Sequence, residues 1–100
     1  MKLWVDDVRP APNITEYLVA PSVNIAKTFI KNHEDWEDPF ELIDIDHDAG
    51  DYAKDGGDYI RLLDWLEETG RNYPIHIHSM NVVGVANMRA IIKRNGWVQV

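Results

Sequence analysis

The chain has 100 residues, 45% of them hydrophobic and 27% charged, which predicts a single folded domain over residues 1–100 and excludes intrinsic disorder. Asp and Glu number 17 against 10 Lys and Arg, and the net charge of −7 disfavours general binding to long nucleic acid or anionic lipid. The absence of cysteine excludes disulfides, thiolate nucleophiles and cysteine zinc sites.

The N-terminal segment predicts a short buried strand that ends in acids. Leu3, Trp4 and Val5 form an apolar run that stops at Asp6 and Asp7, which is typical of a central strand that opens into a loop. The same acids interrupt any signal-peptide core, and no apolar stretch approaches the roughly 20 residues of a membrane span. We therefore expect a cytoplasmic protein with no membrane partner.

An irregular connection, a second strand and a helix follow. Two prolines in residues 8–13 predict irregular chain, and residues 16–20 can form the second strand. Only residues 6–15 join the two strands, which is barely enough for a parallel crossover. Either this crossover has lost its helix or the second strand is antiparallel. Ser22 is a good N-cap, and the helical spacing of apolar residues predicts a helix through Lys31.

The middle of the chain predicts a third strand that also ends in acids. The apolar run of residues 42–45 stops at Asp46–His47–Asp48, and a loop over 49–57 leads into a helix that ends at Gly70. Asp44 is an acid inside this strand and shares the parity of the acid at its end. Either Asp44 lines the site from below or that strand face is open to water.

The C-terminal third predicts a strand, a helix and a last short strand. Residues 75–79 alternate with a period of two, which places His76 and His78 on one face. A helix over 81–95 and a strand over 97–100 follow. Strands that alternate with helices predict an α/β fold, here a compact three-layer sandwich around a mostly parallel sheet of about five strands.

Polar residues gather at the ends of three of these strands. In open α/β sheets, ligands bind beyond the carboxyl ends of the strands, so the three groups should converge. The groups are Asp6–Asp7, Asp46–His47–Asp48 and His78–Ser79–Met80–Asn81. Their convergence predicts a functional site.

The acids of this site predict a metal centre. Like charges in one crevice either raise a pKa or bind a cation, and Mg²⁺ commonly joins carboxylates to a substrate phosphate. The expected ligands are Asp6, Asp7 and Asp46, and the expected cofactor is Mg²⁺, with Mn²⁺ as the alternative. Two other interpretations stay open: the acids simply end strands at solvent, or His76, His78 and Asp46 form a transition-metal site.

The histidines and the remaining polar residues suggest acid–base chemistry and anion binding. His47 and His78 are the acid–base candidates, because imidazole exchanges protons near neutral pH. His76 lies further from the strand end, which favours a hydrogen-bonded core position. Arg9 can hold a phosphate or pair with a nearby acid, Asp7 or Asp48.

The start of the last helix is a candidate anion site. Ser79 and Asn81 offer a hydroxyl and an amide beside the free N–H groups of a helix N-terminus. Plain N-capping is the simpler interpretation, and the two roles are compatible.

The strand-end residues resemble the phosphoacceptor pocket of response-regulator receiver domains. That resemblance implies a receiver-like, flavodoxin-like fold, in which the short connection over residues 6–15 would be a reduced first crossover. It places Asp46 at the phosphoacceptor position, Asp6 and Asp7 at the magnesium and Ser79 at the switch hydroxyl. The chain departs from receivers because Trp97–Val100 contains no lysine and because the first and last receiver helices have no counterpart.

A closer resemblance covers nearly the whole chain. Trp4–Pro10, Ile45–Asp48 and His78–Gly84 are similar to the three signatures of the cyclic-phosphate processing receiver-like domain, a receiver derivative. The sequence differs from the expected signatures at Ala49, where a larger aliphatic residue is usual, and at Val82, where a proline is usual.

This second resemblance implies an enzyme that acts on cyclic phosphate ends of RNA or of a small nucleotide, in repair or phage-defence settings. It implies a metal and phosphate centre of Asp6, Asp7 and Asp46. The residues around that centre are His47, Asp48, His78, Ser79 and Asn81. We therefore expect Asp46, His47 and His78 to be catalytic, and Arg9, Asp48, Ser79 and Asn81 to bind substrate.

Two reaction routes and two other functions stay open at this point. Water can attack with a histidine as general base and the other histidine as acid, or Asp46 can attack and form an aspartyl-phosphate. The main alternative function is a non-catalytic receiver-like module that binds phosphate or a protein. A further alternative is an acidic decoy that occupies a basic site on another protein.

Overall fold

The protein alternates short strands with helices. A computed structural model describes all residues, Met1–Val100. The strands are β1 (Lys2–Val5), β2 (Tyr17–Ala20), β3 (Ile43–Ile45) and β4 (Ile75–Ile77). The helices are α1 (Val23–Asp35), α2 (Ile60–Glu68) and α3 (Val82–Asn95), and a short 3₁₀ helix spans Gly50–Lys54. None of these helices has the length and apolar character needed to cross a membrane.

The four strands form one parallel sheet in the order β2-β1-β3-β4. This order and the three helices confirm the receiver-like α/β fold. β1 and β2 pair in parallel, although only residues 6–16 connect them and no helix lies between them. The reduced first crossover is therefore confirmed, and the direction of the second strand is parallel.

All three helices lie on one face of the sheet. α1 connects β2 to β3, α2 connects β3 to β4, and α3 leads from β4 to the chain end that bridges to Ile75. These connections all cross the sheet in the direction from β2 towards β4, and right-handed crossovers therefore place the three helices on the same side. The connection from β1 to β2 runs the opposite way, and it is the one without a helix. The predicted three-layer sandwich is therefore wrong in its layer count: the protein has two layers, because the helix that would cover the second face is missing.

The core lies between the sheet and the helices. Leu3, Val5, Ile43, Ile45 and Ile75 point to this side and belong to one hydrophobic cluster of 20 buried residues. The alternate residues lie on the second face. There Trp4, Asp44 and His76 occupy neighbouring positions in register across β1, β3 and β4. The loop after β1 folds over this face, because the Trp4 indole N–H donates to the Arg9 carbonyl oxygen at 2.9 Å.

The predicted fifth strand is reduced to a single bridge. Gly96 ends α3 in the left-handed conformation, with φ of 68°, and Gln99 then pairs with Ile75 in one isolated parallel bridge. Val98 and Val100 stay exposed. A longer strand here would bury little apolar surface, since no helix covers the second face. The sheet therefore has four strands instead of about five.

Candidate functional site

The carboxyl ends of β1, β3 and β4 lie side by side, as the parallel sheet requires. The polar segments that follow these strands form two neighbouring clusters. We call Asp6, Asp7 and Asp46 the acidic cluster, and His47, Asp48 and Asn81 the histidine cluster.

The acidic cluster brings three carboxylates together. One oxygen from each of Asp6, Asp7 and Asp46 lies within 4.8 Å of the others, and the side chains of Asp6 and Asp46 are buried. Burial raises the pKa of Asp7, and the neighbouring charges of Asp6 and Asp46 raise it further. Neither Asp7 nor Asp46 forms an ion pair with a basic side chain. The carboxylates of Asp7 and Asp46, which no basic side chain compensates, fit a hard divalent cation together with Asp6.

Gly50 makes room for the acidic cluster. Its φ of +55° lies in the left-handed region, and a Cβ atom at this position would come within 2.5 Å of Asp7 Oδ2. Any other residue would therefore displace the Asp7 carboxylate.

Asp6 is the most firmly held member of the acidic cluster. Its Oδ1 accepts hydrogen bonds from the backbone N–H groups of Val8 and Arg9, at 3.1 and 3.2 Å. Its Oδ2 accepts one from His78 Nε2 at 2.9 Å. Burial alone would raise the pKa of Asp6, but these hydrogen bonds outweigh it and lower the pKa. The carboxylate oxygens of Asp7 and Asp46 accept no such hydrogen bonds and are therefore more available to a cation.

His78 lies between two buried carboxylates. Its Nε2 faces Asp6 Oδ2 at 2.9 Å, and its Nδ1 faces Asp44 Oδ1 at 2.7 Å. Because neutral imidazole carries only one N–H, contacts from both nitrogens to carboxylates fit the imidazolium form. Burial would lower the pKa of His78, but the two carboxylates outweigh it and raise the pKa. The Trp4 ring stacks on the imidazole, with centroids 4.0 Å apart and planes 3° apart.

Asp44 supports the site from the second face of the sheet. It is buried, and its Oδ1 accepts hydrogen bonds from both His78 Nδ1 and His76 Nδ1, the latter at 2.9 Å. Burial would raise the pKa of Asp44, but the two histidines lower it. Both interpretations of Asp44 hold, because it lies beneath the site and its strand face is not covered by a helix. Its parity with Asp46 was the signal in the sequence.

His76 is hydrogen-bonded as expected, but it is not a core residue. Its side chain is 43% exposed, because no helix covers this face. The alternative transition-metal group of His76, His78 and Asp46 does not assemble. The two histidines share Asp44 instead, and Asp46 faces the acidic cluster.

The histidine cluster pairs an imidazole with an exposed carboxylate. His47 Nδ1 donates to Asp48 Oδ1 at 2.8 Å, and Asn81 Nδ2 donates to the same oxygen at 3.2 Å. The hydrogen bond from His47 lowers the pKa of Asp48. With Nδ1 held by Asp48, Nε2 is the ring nitrogen left for proton transfer. Asp58 also places a carboxylate oxygen within 4.8 Å of this pair.

The first turn of α3 fixes the position of His47. Asn81 caps the helix through a hydrogen bond from Gly84 N to its Oδ1, at 2.9 Å. The His47 ring packs directly against Gly84, where a Cβ atom would lie 2.8 Å from Nδ1 and closer still to two ring carbons. Gly84 was not among the predicted site residues. The available signal was a glycine inside a helix, which usually has a packing reason.

The remaining predicted residues lie at the rim of the site. Ser79 Oγ accepts a hydrogen bond from Asn81 N at 3.1 Å. Arg9 donates from a guanidinium nitrogen to the His78 carbonyl oxygen at 2.7 Å, and it forms no ion pair with Asp7 or Asp48. The structure therefore brings Arg9, Ser79 and Asn81 next to the two clusters. Their binding of a phosphate stays a prediction.

Comparison with known proteins gives one family. The family model described as "Cyclic-phosphate processing Receiver domain" matches residues 1–94, which include every residue of both clusters. No curated protein and no solved structure gives a significant match.

Proposed function

The chain belongs to the cyclic-phosphate processing receiver domain family, and we propose that its strand-end site hydrolyses a cyclic phosphodiester of an RNA end or nucleotide to a monoester. One observation carries this proposal. A carboxylate cluster with no basic partner on Asp7 or Asp46 lies beside a histidine that a carboxylate orients. We place this activity in the cytoplasm.

The acidic cluster would hold the divalent cation, Mg²⁺ or Mn²⁺. Asp7 and Asp46 would be the principal ligands, and Asp6 would contribute the lone pairs that its hydrogen bonds leave. A bound cation would neutralise charge on the phosphoryl oxygens. The chain itself supplies the rigidity of this cluster, since backbone N–H groups and His78 fix Asp6 in place.

His47 is the group that moves protons. Its Nε2 accepts a proton from the attacking water as the water oxygen forms a new bond to phosphorus. The bond from phosphorus to one ribose oxygen breaks, and the imidazolium returns the proton to that oxygen. Asp48 keeps Nδ1 protonated and so keeps Nε2 available as the base.

His78 acts as a positioning residue in this proposal. Both of its ring nitrogens are engaged by carboxylates, so neither is free to exchange a proton with substrate. Its positive charge stabilises Asp6 and Asp44 in their ionised forms. This role differs from the proton transfer that the sequence suggested, and it still predicts that His78→Ala impairs turnover.

The rim residues contact the phosphate. The Arg9 guanidinium keeps donors beyond the one given to His78, and the Ser79 hydroxyl and the Asn81 amide lie at the start of α3. Charge-assisted hydrogen bonds from such groups hold an anion more firmly than neutral ones do.

The test is phosphorus NMR of adenosine 2′,3′-cyclic phosphate and of a short RNA with the same end, with purified protein and Mg²⁺ or Mn²⁺. We expect conversion to a monoester by the wild type. His47→Gln and Asp46→Asn should lose about a hundredfold or more, as for the loss of a general base or a metal ligand. Asp35→Asn, an exposed acid far from the site, is the matched control and should keep full activity.

Two further measurements on the same protein separate the alternatives. A phosphorylated Asp46 in acid-quenched wild-type protein, seen by mass spectrometry, would favour the covalent route over attack by water. If the folded wild type leaves every substrate untouched, hydrolysis of these substrates is refuted. If adding phosphate then changes the chemical shifts of the site residues without any turnover, the result would support the non-catalytic binding module.

A further inference from the structure

A groove of about 310 Å³ opens beside the strand-end site. Its lining residues are Ser79, Met80, Val82, Val85, Ala86 and Arg89. Ser79 belongs to both the rim of the site and the groove, so a ligand held at the acidic cluster can continue into it. A second depression, of about 330 Å³, lies around Asn24 and Asp55 and shares no residue with the site.

The groove combines exposed apolar side chains with one helical stripe. Its four α3 residues lie at positions i, i+3, i+4 and i+7 and therefore share one side of the helix. Met80 and Val82 are each 82% exposed. Large apolar side chains at the edge of a polar site are typical of a surface that binds the apolar part of a ligand.

Arg89 gives the groove a free positive charge. Of the five arginines in the sequence, three form ion pairs with carboxylates, and these are Arg61, Arg71 and Arg94. Arg9 and Arg89 form none. Arg9 lies at the rim of the site, and Arg89 lies about 10 Å along α3 from Val82, as seven residues of helix require. In an acidic protein, the two arginines without an ion pair therefore lie one at the rim of the site and one in the groove.

We propose that this groove binds the last nucleoside of an RNA end. Its base lies on Met80 and Val82, and the phosphodiester on its 5′ side pairs with Arg89. A free cyclic mononucleotide has no phosphodiester at that position, so it leaves Arg89 without a ligand. The substrate class is therefore an RNA terminus rather than a free nucleotide. This inference rests on the proposed function, because it extends the substrate of the same site.

The kinetic test compares two substrates that differ only in the second phosphate. They are adenosine 2′,3′-cyclic phosphate and adenylyl-adenosine with the same cyclic end. We expect the wild type to show about tenfold higher kcat/KM on the dinucleotide, the size of one charge-assisted contact at an exposed site. Arg89→Gln should remove this preference, and Met80→Ser should raise KM for both substrates. Arg61→Gln, an exposed arginine on α2, is the control and should keep the preference.

Two kinetic results would overturn the inference. One is equal kcat/KM for the two substrates in the wild type. The other is an equal loss on both substrates in Arg89→Gln, since Arg89 would then serve a group that both share.

A binding experiment separates failure of the groove from failure of the enzyme. The wild type and Arg89→Gln are titrated by NMR with adenosine 3′-phosphate and with adenylyl-adenosine 3′-phosphate, neither of which can be cleaved at a cyclic end. Tighter binding of the dinucleotide, with shifts at the amides of Ala86 and Arg89 that Arg89→Gln abolishes, supports the groove even without turnover. Turnover combined with equal binding of both probes refutes the groove and leaves the hydrolase intact.

Discussion

The contact between Gly84 and the His47 ring gives a sharp test of the site geometry. On an open helix surface, replacement of Gly by Ala stabilises a protein by about 1 kcal/mol. At position 84, the added methyl group would meet the His47 ring, with Nδ1 2.8 Å away. Overpacking of this kind costs about 1–3 kcal/mol. We therefore expect Gly84→Ala to destabilise the wild type by about 1 kcal/mol, the balance of these two effects.

The sign should reverse when the ring is removed. In a His47→Ala background the clash disappears, so Gly84→Ala should stabilise the protein by about 1 kcal/mol. The resulting coupling energy of about 2 kcal/mol lies within the range for residues in direct contact. In the wild-type background the displaced ring should also lose its hydrogen bond to Asp48, so turnover of the proposed substrate should fall.

Urea unfolding, followed by the fluorescence of the four tryptophans, measures the free energies of the four proteins in this cycle. Asn87→Ala, at an exposed position of the same helix, is the control and should stabilise both backgrounds equally. If Gly84→Ala has the same sign and size in both backgrounds, the His47 ring does not occupy the space that the structure assigns to it. The outcome does not depend on the proposed enzyme activity.

Three further predictions concern the charged groups. Asp44→Asn should lower the pKa of His78, because the Asp44 carboxylate raises it. NMR titration of the ring nitrogens measures the change, and an unaltered pKa would contradict the position of His78 between Asp44 and Asp6. Glu34 pairs with Arg71 and Tyr73, which lower its pKa despite burial. The stability from this lowered pKa is present above the unfolded value near 4.5 and is lost as pH falls through the folded pKa. Glu34→Gln should therefore flatten the acid limb of the stability curve measured by urea unfolding, and an unchanged slope would argue against the pairing. Finally, Mg²⁺ at 100 times its Kd should stabilise the wild type by about 2.7 kcal/mol in thermal unfolding; Asp46→Asn should lose this effect, and equal stabilisation of both proteins would place the cation elsewhere.

The sequence predicted those features of the fold that depend on the residue pattern within a single strand. Apolar runs that stop at acids predicted the ends of β1 and β3, and the period of two in β4 placed His76 and His78 on one face. These features depend only on local alternation along one strand. The convergence of the strand ends then followed from the rule for parallel sheets.

The features that the sequence did not settle depend on relations between strands. The register of β3 against β4 sets Asp44 opposite His76 and within reach of His78 Nδ1, and the pairing of β1 with β3 brings Asp6 to His78 Nε2. The composition of neither strand specifies that register. The layer count failed for a different reason, because a third layer needs a helix between β1 and β2 or after the bridge at Gln99, and the chain has no helix at either place.

The lost helix between β1 and β2 also changes how the chain can reach its native topology. Lys2 pairs with Tyr17, a sequence separation of 15, whereas Leu3 pairs with Ile43 across 40. By the logarithmic scaling of loop closure, the shorter loop is cheaper in chain entropy by about 1 kcal/mol. Parallel pairing is normally slow because it joins distant segments. Here the first parallel pair is much more local than the second, so β1 and β2 offer a nucleus on which β3 and β4 can add in turn.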